Sequence, residues 1–469
     1  MLVRNVRVLL QFLLIAGLIT VSVSVPGTSG QTSSQVATPV KVTELEVRDR
    51  VYLVRDKPGT PTQFQMIVNA GCVDEADGQC RGLAHYLEHL LLVGRNPEHK
   101  DSAVTFIPDA YANGWTNMRA TAYVHGIPAR PAGPKAELDF LFRFYAARLQ
   151  DFNIPEAEAE RERRVVRQEH DMRIGGNPFL TFARALDRKL MPDHPFGQWT
   201  IGTAEEIDKF TLAAARDLHR SWYAINNVYF IIRGDIDPAD LKDLADKALA
   251  GLSPRELPKR ATLQRPAALV ERHDLVNQHP QIKRAGVYYK KLIHLDEQDR
   301  DTNRAARLLL GNFLTSKLPG SPHAVLVDER KLAADRPFSF IERVAPGAFR
   351  LTMGADVAPG VKPEDLREAM ATYVEGLAKS GRASAELDRL KQRFAADRAT
   401  GDTDPIRAYN RFVTWIAGNL PPSGHVGWPA RVAAVTIADV TALTAGFSGP
   451  GKIVTGIMRP AASAGSTPQ

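Results

Sequence analysis

The chain is poor in cysteine, with two thiols, Cys72 and Cys80, among 469 residues. Two thiols cannot build the disulfide lattice of a small secreted scaffold, and their spacing fits no common zinc pattern. Aromatic residues make up 7% and are not interleaved with basic ones. The formal net charge is +7, yet Lys and Arg are spread along the chain and form no long basic block. Composition therefore argues against a nucleic-acid surface and describes a mildly basic, solvated exterior. Beyond residue 25 no apolar run is long enough to span a bilayer.

At the N-terminus, Arg4 and Arg7 precede an apolar run from Val8 to Val25, followed by Pro26-Gly-Thr-Ser-Gly30. Charge, apolar core and small residues follow each other in the order of a signal peptide. The apolar run is long, so residues 1–30 read as either a cleaved signal or an uncleaved membrane anchor. Residues 31–41 read as a flexible leader. The mature protein is expected in the periplasm or another exported, oxidising compartment. There Cys72 and Cys80, eight residues apart, form either a disulfide or two partly buried free thiols.

A hydrophobic content of 44% and a charged content of 24% describe an ordinary globular protein. The length favours two domains of roughly 200 residues each. Periodicity predicts strands at Leu45–Val54, Gln63–Ala70, Ala120–Val124 and Asn226–Asp235. It predicts helices at Ala136–Leu149, Pro155–Arg173 and Asp237–Leu252. The Pro-punctuated stretch 253–270 reads as a linker. The second half repeats the same kinds of element: strands Ala285–Tyr289 and Phe349–Gly354, helices Arg300–Lys317 and Pro363–Ser380. The expected class is α+β, with domains at 42–252 and 271–460 and a flexible tail at 461–469.

The chemistry is concentrated in Gly82-Leu-Ala-His-Tyr-Leu-Glu-His-Leu90. On a helix turning ~100° per residue, His85 and His89 lie about 40° apart, with Glu88 on the adjoining arc. Two neutral imidazoles at that spacing can hold one zinc ion, and a carboxylate beside them can act as a general base. The order His-x-x-Glu-His is the inverse of the commoner zinc-hydrolase motif. A catalytic zinc typically takes three protein ligands and keeps one position open. The helix Arg161–His170 offers Glu162 and Glu169, seven residues apart and on one face; one can ligate while the other sits behind.

These residues together resemble the pitrilysin and insulinase-like (M16) zinc peptidases. Gly82 to Leu90 matches that family's Gly-Leu-Ala-His-x-x-Glu-His signature. About 80 residues on, Glu162 and Glu169 match its Glu pair, and Asn113, Thr116, Thr121 and Tyr123 fall at the offsets of its Asn-x-x-Thr and Thr-x-Tyr. The resemblance implies two homologous domains, each a mostly antiparallel sheet covered by helices, together forming half of a clamshell. It implies His85, His89 and Glu169 as ligands of one zinc ion per chain, Glu88 as general base, and Glu162 hydrogen-bonded into the site. Asn113, Thr116 and Tyr123 would contact a peptide bound as an added strand, although strand packing equally accounts for Thr116, Thr121 and Tyr123. His99, His125 and His170 match no ligand position.

Two departures stand out. Tyr111 and Ala112 replace a Gly pair that the family often carries before the Asn. Within Leu326-Val-Asp-Glu-Arg-Lys-Leu-Ala-Ala-Asp335, Asp328 and Asp335 stand where active homodimers of the family's short, two-domain branch, which the chain resembles in length, carry an Arg and a Tyr. The resemblance thus implies an exported zinc endopeptidase acting on peptides or unfolded segments. It would pair with a homologous chain that supplies the Arg–Tyr pair, or act as a homodimer. The alternative is a non-hydrolytic peptide-binding or structural subunit. A membrane enters only if the N-terminal segment stays uncleaved.

Overall fold

Val51-Tyr-Leu-Val54, Phe64-Gln-Met-Ile-Val68 and Val228-Tyr-Phe-Ile-Ile232 are apolar nearly throughout, so both faces of the sheet they build must be covered. In the computed structural model, which describes residues 44–93, 107, 109–267, 269–295 and 299–461, they lie in one six-stranded sheet. Its strands are β1 (Glu44–Arg48), β2 (Val51–Arg55), β3 (Thr62–Val68), β4 (Tyr111–Thr116), β5 (Thr121–Ile127) and β6 (Val228–Gly234), in the order β1-β2-β6-β3-β5-β4. A five-stranded sheet contains β7 (Arg272–His279), β8 (Gly286–His294), β9 (Phe338–Ala345), β10 (Ala348–Asp356) and β11 (Lys452–Pro460), in the order β7-β11-β8-β10-β9.

The two sheets share one topology. β2 and β6 run parallel, as do β7 and β11, and every other neighbouring pair is antiparallel. Leaving out β1, strand follows strand in the same order. The result is α+β with two helix-covered sheets, as the sequence implied.

Alternation along each strand divides the core. Val51, Leu53, Phe64, Met66, Phe230 and Ile232 face the N-terminal helices, while Tyr52, Val54, Ile67, Tyr229 and Ile231 belong to a second cluster. That cluster is completed by helices of the C-terminal half and by Val287, Tyr289, Phe349 and Leu351 of the other sheet. Phe412, on the helix Pro405–Ala417, stands 4.8 Å from the Tyr52 ring, and the Tyr409 hydroxyl donates to Gln65 at 3.1 Å. In return, Phe182, Leu186 and Leu190 on the N-terminal helix Pro178–Leu190 pack on the far face of the second sheet, with Val454 and Met458. The described residues fall in one compact unit.

Several local expectations change. Leu45–Val54 is a hairpin rather than one strand, turning at Arg50 with φ 63°. Pro155–Arg173 is a helix over Glu156–His170 that continues into a π-helical turn at Asp171–Gly175. Pro363–Ser380 breaks at Gly376. The signal segment, the leader, the last eight residues and His99 lie outside the described residues. Among the described residues no single helix is long and apolar enough to cross a membrane.

Candidate metal centre

Four elements converge at the centre: helix α1 (Leu83–Val93), the edge strand β4, helix α2 (Glu156–His170), and the loop from β3 to α1. In α1, Tyr86, Leu87, Leu90 and Leu91 are buried in the N-terminal core, which turns His85, Glu88 and His89 toward α2. The Tyr86 hydroxyl donates to the Ala159 carbonyl at 2.6 Å and fixes the separation of the two helices.

The seven-residue spacing on α2 brings both glutamates to this seam. His89 Nε2 lies 3.1 Å and His85 Nε2 3.7 Å from the same oxygen, Glu169 Oε2. Glu162 takes the other side of the ring, with Oε2 3.6 Å from His89 Nδ1. Arg173 holds Glu169 Oε1 at 2.6 Å, and Arg161 holds Glu162 Oε1 at 2.8 Å. Each carboxylate therefore offers its remaining oxygen inward.

Electrostatics follow from burial. His85 is pushed down to about 3 by burial, with the charge of His89 adding to the effect. Burial opposes a charge on His89 too, but the Glu162 and Glu169 carboxylates overcome it and raise it to about 10. For Glu169, burial is outweighed by its bond to His89 and by nearby positive charge, and it falls to about 2. Burial lifts Glu88 to about 7, against the pull of His89 and Thr116.

This donor set fits a zinc ion. One ligand atom each from His85, His89 and Glu169 lie within 4.8 Å of one another. Ligand bonds of about 2.0–2.1 Å in a tetrahedron place donors roughly 3.4 Å apart, and the two separations from Glu169 Oε2, 3.1 and 3.7 Å, bracket that value. The positive charge that His89 carries between two carboxylates is one a metal cation would replace. Glu162 behind His89 Nδ1 has the carboxylate–histidine arrangement that orients a metal-bound imidazole.

β4 seats Glu88. Side chains alternate along it. Thr116 Oγ1 donates to Glu88 Oε2 at 2.7 Å, and Gly114, two residues before, leaves the space where Glu88 Oε1 rests. Asn113 stands on the other face, exposed, with Nδ2 donating to the Tyr111 hydroxyl at 2.8 Å. Among the described residues the backbone of β4 pairs only with β5, which leaves its other edge without a described strand.

Of the expected substrate contacts, Tyr123 and Thr116 are engaged within the protein. Tyr123 is fully buried and its hydroxyl pairs with that of Tyr223 at 2.9 Å. A phenol enclosed in the core does not reach a peptide. Thr116 faces Glu88 rather than the open edge. Thr121, likewise buried, donates to the Ala70 carbonyl at 2.9 Å. His125 pairs with Tyr145 at 2.6 Å and His170 with Asp171 at 3.1 Å, both outside the centre. Cys72 and Cys80 are joined in a disulfide. Sequence reasoning missed Glu75, which sits beneath the start of α1; only a buried position, invisible in one sequence, singles it out.

Comparison with known proteins finds similar sequences and similar folds. Residues 209–394 match the family described as "Peptidase M16 inactive domain". Zinc protease PqqE of Helicobacter pylori is 24% identical over 349 residues, covering 71% of this chain and 73% of that protein. The fold is shared with the crystal structure of a protease from Helicobacter pylori: TM-score 0.70, 20% identity, 87% of this chain and 97% of that one. It is also shared with the first half of the periplasmic protease PqqL from Escherichia coli: TM-score 0.68, 16% identity, 89% and 92%. Against whole PqqL the chain spans 47% of its length, with TM-score 0.68 and 16% identity over 89% of this chain. The chain is thus similar to M16 proteins in sequence and in fold, and its match over 209–394 is to their C-terminal type of domain.

Proposed function

We propose that the chain is an exported zinc-dependent endopeptidase, cleaving peptides or unfolded segments as the zinc-bearing member of a two-part chamber. The observation that carries this is the convergence of His85, His89 and Glu169 beside a buried Glu88. In this reading residues 42–252 are the catalytic domain. Residues 253–270 link it to 271–460, which lacks the motif.

His85, His89 and Glu169 hold one zinc ion, with Glu162 fixing the His89 ring. Zinc at such a site polarises a carbonyl and eases deprotonation of water. Glu88 takes the proton from the attacking water as its oxygen adds to the scissile carbonyl carbon. The same carboxyl then delivers that proton to the departing amine as the C–N bond breaks. Thr116 holds one Glu88 oxygen and leaves the other for the proton. The open edge of β4 pairs with the peptide as an added strand, within reach of Asn113.

The chamber's other half is a homologous chain that brings an Arg–Tyr pair. Asp328 and Asp335 occupy those positions here, and both are exposed, 3.6 Å from His323 and 3.3 Å from Arg284 respectively. The chain's span of about half of whole PqqL supports a two-part assembly, and the likeness to PqqL, a periplasmic protease, supports export.

The test is zinc content and peptide hydrolysis of the mature chain, alone and with its co-purified partner. About one zinc per chain is expected, and Glu88→Gln should lower hydrolysis by about 10²–10⁴-fold while retaining zinc. Absence of zinc, or full activity in that variant, overturns the reading. A second reading, a non-hydrolytic peptide-binding or structural subunit, draws on the description of the matched domain as inactive. The match begins after the His85–His89 motif and Glu169. That reading expects no cleavage of any peptide, with or without a partner.

A further inference from the structure

The loop entering α1 carries a buried carboxylate that no step above uses. Glu75 is 5% exposed. Its Oε2 accepts the Arg81 N–H at 2.8 Å and its Oε1 the Ala84 N–H at 2.9 Å. The first N–H groups of a helix have no partner within it. Gly82, the residue before α1, has no side chain with which to cap it. Glu75 supplies the cap from the preceding loop, and Ala84 is the neighbour of His85.

The surroundings make that cap rigid. The Cys72–Cys80 disulfide closes the loop around Glu75. Cys72 N and Val73 N donate to the Asn117 and Met118 carbonyls in the β4–β5 turn, both at 3.0 Å. Asp74 holds Arg260 at 2.6 Å. On the opposite side Gly82 has φ +97° and lies so close to Ile201 that a Cβ would stand 2.5 Å from its carbonyl oxygen. Only glycine accepts that conformation and that approach.

We propose that Glu75 is a positioning residue for the metal centre: it fixes the first turn of α1, and through it the place of His85. The inference rests on the zinc reading above. It is tested on the full mature chain with zinc itself, by competition against a chelator of known affinity, and by the visible spectrum of the Co2+-substituted protein.

Glu75→Ala is expected to weaken zinc binding by about tenfold or more and to alter the Co2+ bands. Glu75→Gln, which keeps one acceptor oxygen, is expected to fall between that variant and the wild type. If both variants bind zinc with the wild-type constant and spectrum, the proposal is overturned, even where their melting temperatures drop. Should Glu75→Ala fail to fold, Glu75→Gln decides alone: weaker zinc supports the proposal and unchanged zinc overturns it. A wild-type chain that takes up no zinc would overturn the peptidase reading, and this inference with it. Wild-type uptake with unaffected variants overturns this inference only.

Discussion

The hydroxyl of Thr116 and the carboxylate of Glu88 form the contact that decides which oxygen of the base is free. A hydrogen bond to a charged group contributes about 1.5–3 kcal/mol. Thr116→Val should therefore lower kcat by roughly tenfold or more with KM near the wild-type value, and Thr116→Ser should restore it. Steady-state kinetics at unchanged zinc content check this, and a Val variant with wild-type kcat would refute it. Tyr123 gives the opposite expectation. Among the described residues its hydroxyl pairs with that of Tyr223, so Tyr123→Phe should leave KM unchanged and cost about 1 kcal/mol of stability in a denaturant melt. At this scale the sequence was informative about which side chains of α1 and α2 share a face, because the spacings i, i+4 on α1 and i, i+7 on α2 are properties of the helix alone. It was uninformative about Tyr123, because alternation assigns a strand residue to a face but does not say what covers that face.

Among the elements, α1 and β4 matter most, and they meet through the loop at 71–82. The disulfide in that loop closes a short ring of chain, for which the chain-entropy estimate is roughly 2–3 kcal/mol. Replacing both Cys72 and Cys80 by Ala should lower unfolding stability by about that amount, read as a shift in denaturant midpoint. An unchanged midpoint would show that the bridge constrains nothing in the unfolded chain. The helix carrying Glu162 and Glu169 was legible from its periodicity. The hairpin at Arg50 was not, since a run of β-formers hides a tight turn made by a non-glycine residue at φ 63°. β4 escaped periodic reading for a different reason: Tyr111-Ala-Asn-Gly-Trp-Thr116 alternates too weakly in polarity to announce a strand. Pairing with β5 makes it one.

Across the whole molecule, the two halves are interlocked by a buried ionic cluster. Asp187, on the helix Pro178–Leu190, meets Lys290 of β8 at 2.5 Å and Arg350 of β10 at 2.7 Å. Arg350 also pairs with Glu342. Burial works against the charge on Asp187, but the two cations outweigh it and hold its carboxyl below the ordinary range. Asp187→Ala leaves two buried cations short of a partner, a loss of about 3–5 kcal/mol expected in equilibrium unfolding. A loss below about 1 kcal/mol would mean that solvent reaches the cluster. Such a cluster could not be anticipated, because Asp187, Lys290 and Arg350 are far apart in the chain and each, alone, reads as a solvated charge.

The sequence by itself determined the His85–His89 and Glu162–Glu169 spacings, the α+β class and the repetition of similar elements in two halves. Those features depend on spacing along one helix or on local periodicity, and both are written in consecutive residues. Tertiary structure alone decided that the two sheets share one strand order and that helices of each half cover the other's sheet. It also decided that Thr116 faces the base while Tyr123 is enclosed, and that Glu75 caps α1. These depend on which distant surfaces exclude water together, and no short stretch of the chain specifies them.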